Sequence, residues 1–279
     1  NMGEMGNDAF TVTFWGVRGS IPAPGPETSR YGGNTSCIEV RCGDELFVID
    51  GGSGLRELGR KIMGEERPSV DVLFTHTHWD HVCGVPFFMP AYSPKAKVAF
   101  WAGHLSPERE LQQVLCEQMM VPFFPVPIDI FANCHYHDYA VGTTVPVGKR
   151  ARVTTCPLNH PNRACGYRID FDGRSVCVIT DTEHKMGEPD QTILRFVEGA
   201  DVMIYDAMFT DEIFPKFIGW GHSTWQEALR IATMANVGQA VLFHHDPNHN
   251  DGVLDDIGAQ AEEVRSGSIV AREGMVLTL

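Results

Sequence analysis

A cluster of histidines and one aspartate after an apolar run constrains this chain more than any other feature of its sequence. Residues 75–81 read Thr-His-Thr-His-Trp-Asp-His and directly follow the apolar residues 70–74. An apolar run of this length is typical of a buried strand, and imidazoles combined with a carboxylate suit zinc, manganese or iron. The pattern therefore predicts a metal site at the end of a strand, in a fold where other strand ends supply further ligands.

Strand-like and helical segments alternate along the rest of the chain. Apolar or period-two segments cover residues 10–15, 36–42, 45–50, 70–75, 97–101, 152–156, 166–171, 175–180, 201–206, 239–243 and 275–279. The dipeptides Gly43-Asp44 and Asp172-Gly173 stand at hairpin spacing between neighbouring strands, and apolar helical faces follow some of the later strands. Hairpins combined with strand-helix alternation predict an α/β sandwich with mixed sheets inside and helices outside.

One domain is expected over residues 1–279, because no repeat or low-complexity linker interrupts the chain. Residues 1–8 are expected to be loose, with Asn1 left from an expression tag. The segments 16–33 and 121–127, which are rich in glycine and proline, are expected to be ordered binding loops. The clearest helix start is Ser223-Thr224-Trp225-Gln226, a capping box in which Ser223 is the expected N-cap.

Charge and composition exclude some function classes. The net charge of −14 disfavours a long nucleic acid as partner, although one local site still permits a small anionic substrate. No run of about 20 apolar residues and no secretory signal is visible, so a cytoplasmic protein without a membrane partner is expected. The eight cysteines contain no C-x-x-C pair, which favours free thiols over a thiolate metal site.

Further metal ligands are expected at the ends of later strands. His160, Asp181 and His244 each follow or end an apolar segment, and strand ends are where a convergent site can form. His245 is an alternative to His244, which is preferred as the first residue past the strand. The remaining histidines lack partner spacing and are expected at the surface: His104, His135, His137, His184 and His249.

Together these residues resemble the motif of the metallo-β-lactamase-fold hydrolases, H-x-H-x-D-H followed by His, Asp and His. The match spans nearly the whole chain and is similar to the phosphodiesterase branch, which includes the ribonuclease Z group, phosphoribosyl cyclic phosphodiesterases and cyclic-nucleotide phosphodiesterases. The supporting segments are Gly16-Val17-Arg18-Gly19-Ser20, Tyr31-Gly32-Gly33-Asn34-Thr35-Ser36, Asp50-Gly51-Gly52 and Gly221-His222-Ser223-Thr224. The resemblance implies a four-layer αββα sandwich, a homodimer and two divalent metal ions, with zinc expected and manganese or iron as alternatives.

The resemblance also implies a shell of seven metal ligands. One ion would be held by His76, His78 and His160, the other by Asp80, His81 and His244, and both by Asp181. Asp50, at another strand end, is expected to orient a ligand histidine through its second ring nitrogen.

Two close metal ions activate water and clamp a phosphoryl oxygen, which predicts phosphoester hydrolysis with Asp80 in the catalytic shell. His222 is the expected proton donor to the leaving alkoxide, and the helix start beside it is expected to lower its pKa. Asp206 is expected to orient His222, with an ordinary strand-end carboxylate as the alternative. Substrate-binding roles are expected for Arg18, Asn34, Ser36 and Ser223. A structural role in its loop is the alternative for Arg18.

The favoured activity is hydrolysis of a small, cyclic or low-molecular-weight phosphodiester. A tRNA 3′-processing endonuclease is the alternative, but such enzymes usually carry a long arm between the isolated histidine and the bridging aspartate. Only 20 residues separate His160 from Asp181 here, and a predicted hairpin fills them. A thioester or lactone hydrolase and a metal-bound binding module without turnover are the further alternatives.

Overall fold

The computed structural model describes residues 7–279. Within this range the strands form two seven-stranded sheets. The first sheet contains β1 (Phe10–Gly16), β2 (Cys37–Cys42), β3 (Glu45–Ile49), β4 (Ser69–Phe74), β5 (Lys97–Ala102), β6 (Cys134–Asp138) and β14 (Val276–Thr278). The second contains β7 (Thr144–Val145), β8 (Arg152–Leu158), β9 (Ala164–Phe171), β10 (Arg174–Ile179), β11 (Val202–Asp206), β12 (Gln239–Phe243) and β13 (Ile269–Val270). The sequence did not predict β6, β7 and β13.

Each sheet is half antiparallel and half parallel. In the first sheet the order is β14-β1-β2-β3-β4-β5-β6, with parallel pairing from β3 to β6. In the second the order is β13-β12-β11-β10-β9-β8-β7, with parallel pairing from β10 to β13. The predicted hairpins are the β2–β3 and β9–β10 turns. Asp172 and Gly173 both have positive φ, as the common two-residue hairpin turn requires.

Helices cover the outer face of each sheet. They are α1 (Leu55–Ile62), α2 (Trp79–Val82), α3 (Met89–Tyr92), α4 (Leu111–Gln118), α5 (Gln191–Val197), α6 (Trp225–Met234) and α7 (Asp251–Val264). The first four pack on the first sheet and the last three on the second, while a separate apolar core fills the space between the sheets. This arrangement confirms the predicted four-layer sandwich with mixed sheets inside.

Two local predictions need correction or restriction. Helix α6 begins one residue later than predicted, because the Thr224 hydroxyl accepts the Glu227 amide at 3.0 Å and acts as the N-cap. The predicted loose N-terminus, including the tag residue, lies outside the described residues up to residue 6. Asn7 and Asp8 lie inside them and are not loose: each bonds to a distant residue, Gly43 and Arg150 respectively.

The parallel half of each sheet delivers its strand ends to one edge of the sandwich. Asp50, Asp181 and His244 directly follow or lie just past β3, β10 and β12, and their φ angles are 66°, 63° and 59°. Aspartate and histidine are among the few side chains that accept the left-handed region, and strained backbone of this kind clusters at functional sites. No helix among the described residues is long and apolar enough to cross a membrane. All eight cysteines are free, as predicted.

Candidate active site

The side chains predicted as metal ligands converge at this edge, between the two sheets. Within the described residues, three groups place their nitrogen and carboxylate oxygen atoms within 4.8 Å of one another: His76 with His78 and His160; Asp80 with His81, Asp181 and His244; and Asp181 with Asp206, His222 and His244. All seven predicted ligands are among them. His245 is not, because its Nε2 donates to the carbonyl of Ala271 at 2.7 Å.

The first half of the site is built by one short segment. β4 ends at Phe74, and a short connection leads to His78, which lies at the N-cap position of α2. Asp80 and His81 then lie inside this single helical turn. Asp50 fixes the start of the segment by accepting the amide and hydroxyl of Thr75, each at 2.8 Å.

Hydrogen bonding fixes which ring nitrogen of His81 faces the site. Its Nδ1 lies 2.7 Å from Asp50 Oδ2 and therefore donates, as the sequence predicted for Asp50. The opposite nitrogen, Nε2, lies 3.2 Å from carboxylate oxygens of Asp80 and Asp181 and 3.2 Å from His244 Nε2. A lone pair facing two carboxylates is stable only if a cation or a proton lies between them.

The same reasoning applies on the other side of the cluster. His160 Nδ1 lies 2.7 Å from the Gly221 carbonyl and donates to it, whereas His78 Nε2 lies 3.0 Å from Asn162 Oδ1. The remaining nitrogens, His160 Nε2 and His78 Nδ1, face each other at 3.1 Å. His76 Nε2 is buried and has no hydrogen-bond partner among the described residues. Unpaired nitrogens of this kind fit a divalent metal ion with nitrogen and oxygen ligands.

Asp181 lies at the centre of the cluster. Its Oδ2 is 3.3 Å from His76 Nε2 and 3.5 Å from His160 Nε2, and its Oδ1 is 3.1 Å from His244 Nε2. One carboxylate therefore reaches donors of both groups, which is the position that a ligand shared by two ions needs.

The pKa shifts within the cluster also indicate that it is stabilised by positive charge. Burial alone would lower the pKa of His81, but Asp181, Asp80 and Asp50 raise it well above its usual value. Burial would raise the pKa of Asp80, but His81 and His244 hold it well below its usual value. Burial and His81 lower the pKa of His76. Buried carboxylates need positive charge beside them, from a metal ion or a protonated imidazole, to offset their desolvation.

His222 lies beside these groups and is held by Asp206. Its Nδ1 lies 2.9 Å from Asp206 Oδ2, and its ring stacks on that of His244 at a centroid distance of 5.0 Å. Asp206 is buried and also accepts the amides of Thr182 and Met208, each at 3.2 Å. Burial lowers the pKa of His222, but Asp206 raises it to about 9. The net pKa shift of His222 is therefore upward, opposite in direction to the lowering expected from the helix start alone.

The structure buries three of the four residues predicted to bind substrate, namely Arg18, Ser36 and Ser223. Arg18 is fully buried and donates to the carbonyls of Gly32, Asp246 and His249, so its structural alternative holds. Ser36 is buried against Asp50, and Ser223 is buried with its hydroxyl 2.7 Å from His184 Nδ1. Asn34 Oδ1 accepts the Ser53 hydroxyl at 2.9 Å. Arg18, Ser36 and Ser223 are therefore closed to solvent and bonded within the protein, whereas Asn34 is half-buried and its substrate-binding role stays a prediction.

The sequence did not predict several residues that contact the site. Glu183 Oε1 accepts the amides of Gly219 and Gly221 at 2.7 and 3.1 Å and so holds the loop before His222. Ser20 donates its amide to Asp80 Oδ2 at 2.9 Å, which brings the 16–33 loop to the site. These contacts involve main-chain groups, which leave no signal in residue identity.

Two histidines expected at the surface are buried instead. His104 Nε2 lies 2.9 Å from the Thr77 hydroxyl, and desolvation lowers the pKa of His104 to about 4. His184 packs on Phe214 with ring centroids 4.3 Å apart. Their bonding partners lie far away in sequence, so spacing alone could not reveal them.

Comparison with known proteins agrees with the observed fold. A family model described as the β-lactamase superfamily domain matches residues 46–245. The ribonuclease Z of Archaeoglobus fulgidus is 25% identical, and the alignment covers 96% of this chain and 97% of that protein.

Solved structures share the fold at lower identity. The metallo-β-lactamase fold protein YhfI from Bacillus subtilis superposes with a TM-score of 0.74 at 20% identity, covering 98% of this chain and 100% of that one. A diphosphatase from the PhnP family superposes with a TM-score of 0.72 at 19% identity, covering 97% of both. The resemblance inferred from the motifs is confirmed: the chain belongs to the metallo-β-lactamase superfamily and is a hydrolase of that fold.

Proposed function

We propose that this chain hydrolyses a small phosphodiester of low molecular weight, with cyclic phosphates as its preferred substrates. The observation that carries the proposal is the His222–Asp206 pair, joined at 2.9 Å, beside two groups of metal-competent donors. Phosphodiester hydrolysis needs a proton for the leaving alkoxide, and a carboxylate-held imidazole supplies one.

Two divalent ions fit the donor set. His76, His78 and His160 would hold one, Asp80, His81 and His244 the other, and Asp181 both. Zinc is the proposed metal, since its usual ligands are imidazole and carboxylate. When bound, the ions would lower the pKa of water and polarise a phosphoryl oxygen.

The protein's own groups perform the remaining work. Asp206 accepts from His222 Nδ1, which leaves Nε2 as the nitrogen that can release a proton. Asp206 also keeps the imidazole protonated near neutral pH, because it raises the pKa of His222 to about 9. Asp50 holds the ring of His81, and the Gly221 carbonyl holds that of His160. These partners fix ring orientation before any substrate arrives.

The segment between His160 and Asp181 favours a small substrate over tRNA. Strands β9 and β10 and their two-residue turn fill most of it, so the protein has no projecting arm at this point. The net charge of −14 opposes binding of a polyanion as well.

A tRNA 3′-processing activity is the second candidate function. The observation that favours it is the likeness to a ribonuclease Z over 97% of that protein's length. Turnover of different substrates separates the two candidate functions. A precursor tRNA and a cyclic nucleotide both contain a phosphodiester bond, but the two molecules differ greatly in size.

The test combines metal analysis with turnover. Elemental analysis of the purified protein should give about two ions per chain. Turnover is then measured on 2′,3′-, 3′,5′- and 1,2-cyclic phosphates, on bis(p-nitrophenyl) phosphate and on a precursor tRNA. Cleavage of a cyclic phosphate but not of the tRNA supports the proposal, and the reverse supports the second candidate.

Variants tie turnover to the site. His222→Ala should lose about 10²- to 10⁴-fold in kcat while retaining its metal. His135→Ala, a substitution of an exposed histidine, is the control and should match the wild type. Bound metal without turnover of any phosphodiester would contradict the proposal.

A further inference from the structure

A tight turn between β8 and β9 carries one proposed metal ligand and contacts another. The turn is His160-Pro161-Asn162-Arg163, and the Arg163 amide donates to the His160 carbonyl at 3.1 Å. Asn162 has a φ of 65°. Proline at the second position and a positive φ at the third are typical of a type II turn, where asparagine is the usual residue besides glycine. The sequence of this turn therefore favours the backbone that the structure shows.

The backbone of this turn is more strained than its type requires. Arg163 has a φ of 71°, so two consecutive residues with side chains lie in the left-handed region. That conformation is uncommon for residues other than glycine, although asparagine accepts it more readily than most. The guanidinium of Arg163 contacts both carboxylate oxygens of Glu108, at 2.7 and 3.0 Å. Strain of this kind persists only where surrounding contacts hold it, and it clusters at functional sites.

The side chain of Asn162 extends from the turn to His78. Its Oδ1 lies 3.0 Å from His78 Nε2, and His78 Nδ1 lies 3.1 Å from His160 Nε2. These two ligand nitrogens belong to the ion proposed at His76, His78 and His160, which we call the first ion. A histidine that binds a metal through one ring nitrogen carries its proton on the other, where a hydrogen-bond acceptor fixes the ring. Asn162 Oδ1 is such an acceptor and selects the tautomer whose Nδ1 lone pair faces His160.

His78 depends on this hydrogen bond more than its neighbours in the chain depend on theirs. It is only partly buried, whereas His76 and His81 are fully buried. Packing restricts a buried ring to one orientation, but it restricts a partly exposed ring much less. Among the described residues, Asn162 is the only one outside the proposed ligands whose side chain hydrogen-bonds the His78 ring.

We infer that Asn162 is a positioning residue for the first ion. Its side-chain oxygen orients His78, while the turn that contains it places His160. One turn of four residues thereby positions two of the three histidines of this ion. The inference rests on the metal site of the proposed function but not on the cleavage of a phosphodiester.

Zinc affinity tests this assignment. Zinc transfer from the loaded protein to a chromophoric chelator is measured for the wild type and for variants. Asn162→Gly accepts the positive φ but lacks the oxygen, so it should weaken the binding of one ion by about 10- to 100-fold. The affinity for the other ion should not change. Asn162→Asp keeps an acceptor oxygen and tolerates the same backbone, so it should restore the affinity.

Asn236→Gly is the matched control for the backbone change. Asn236 is also an exposed asparagine with a positive φ, 53°, but it follows α6 and contacts no proposed ligand. This variant should bind both ions as the wild type does. An equal loss of affinity in Asn236→Gly, or an unchanged affinity in Asn162→Gly, would overturn the inference.

The ring protons provide a readout that a merely structural role of Asn162 would not change. In ¹⁵N-edited spectra of the zinc-loaded protein, the proton on His78 Nε2 should exchange with water faster in Asn162→Gly than in the wild type. The proton on His81 Nδ1, which Asp50 accepts at 2.7 Å, should exchange at the same rate in both proteins. Comparison with His78→Gln identifies the His78 signal. Faster exchange of both protons would show that the variant loosens the whole site, and the inference would be wrong.

Zinc transfer needs no turnover, so it separates this inference from the proposed function. If Asn162→Gly weakens one ion but the wild type cleaves no phosphodiester, the proposed function fails and the positioning role remains. If the wild type cleaves a phosphodiester and Asn162→Gly holds zinc as tightly as the wild type, the positioning role fails and the proposed function remains. A wild type that binds no zinc or other divalent ion would overturn both.

Discussion

The two sheets of the sandwich have matching topology but contribute to the site in different ways. Each runs from antiparallel into parallel pairing and ends its parallel strands at the same edge. The first sheet supplies its donors from one continuous segment, residues 76–81, braced by Asp50. The second supplies His160, Asp181 and His244 from three separate strand ends. Ligand geometry is therefore local in the first half and depends on strand register in the second.

This contrast predicts different weak points. A compact segment tolerates small changes around it, because its donors move together. Donors from separate strands keep their geometry only if each strand end is placed independently. The second half should therefore be the more sensitive to changes that alter backbone placement.

Asp181 should give the largest effect, because its carboxylate contacts nitrogens of both proposed metal groups, His76 and His160 of one and His244 of the other. Asp181→Asn should lower kcat by about 10³-fold or more, equivalent to about 4 kcal/mol, and should reduce bound metal. Asp172→Asn is the matched control, since Asp172 also has a positive φ and lies in the turn between β9 and β10, at the opposite end of β10 from Asp181. Metal analysis and steady-state kinetics on both variants provide the measurement. Full metal occupancy in Asp181→Asn would contradict its central position.

Gly221 tests the sensitivity of the second half to backbone placement. A Cβ at this position would lie 2.3 Å from His160 Nδ1, whereas one at Gly219 would meet nothing within 4 Å. Both residues have positive φ, so Ala costs about 1–2 kcal/mol of backbone strain at either site. Gly221→Ala should lose about 10²-fold in activity through displaced His160, and Gly219→Ala should retain it. Equal losses would show that strain, not ligand displacement, is responsible.

The same contrast explains what the sequence could predict. The segment 76–81 is readable because its donors are contiguous, and the strand ends at Asp181 and His244 are readable because apolar runs precede them. Arg18, Ser36 and Ser223 were misassigned because loop position does not reveal burial: their partners are main-chain carbonyls, Asp50 and His184. The strands β7 and β13 have only two residues each, too few for an apolar pattern.

Asp50 and Asp206 provide a direct comparison of the two halves. Each holds one histidine, Asp50 a proposed ligand and Asp206 the proposed proton donor. Asp50→Asn should weaken metal affinity by about 10- to 100-fold with kcat restored at saturating metal. Asp206→Asn should instead lower kcat at full metal occupancy, because His222 loses the charge that keeps it protonated. Measuring activity as a function of metal concentration distinguishes these outcomes. If both variants recovered kcat at saturating metal, or neither did, Asp50 and Asp206 would not have the different roles proposed here.

The smallest expected effect concerns stability, and it contrasts a buried carboxylate in the first sheet with a buried hydroxyl in the second. Glu39 on β2 is buried and accepts from Trp15 at 2.9 Å and from Arg41 at 2.5 Å. Burial raises the pKa of Glu39, but the hydrogen bonds from Arg41 and Trp15 lower it by more, so the net pKa lies below its ordinary value of 4.5. The ionised carboxylate therefore stabilises the fold above pH 4.5, and this contribution is lost as the pH falls through the folded-state pKa. Glu39→Gln should lower the free energy of unfolding, measured with urea, by about 1–3 kcal/mol at pH 7. The difference in this free energy between the variant and the wild type should become smaller below about pH 4. In the second sheet, the buried Thr155 hydroxyl on β8 accepts the Gly142 amide at 3.0 Å and donates to the Thr143 carbonyl at 3.2 Å, and neither partner titrates. The cost of Thr155→Val should therefore be the same at both pH values. A parallel narrowing in that variant would show that general acid destabilisation, not Glu39, is being measured.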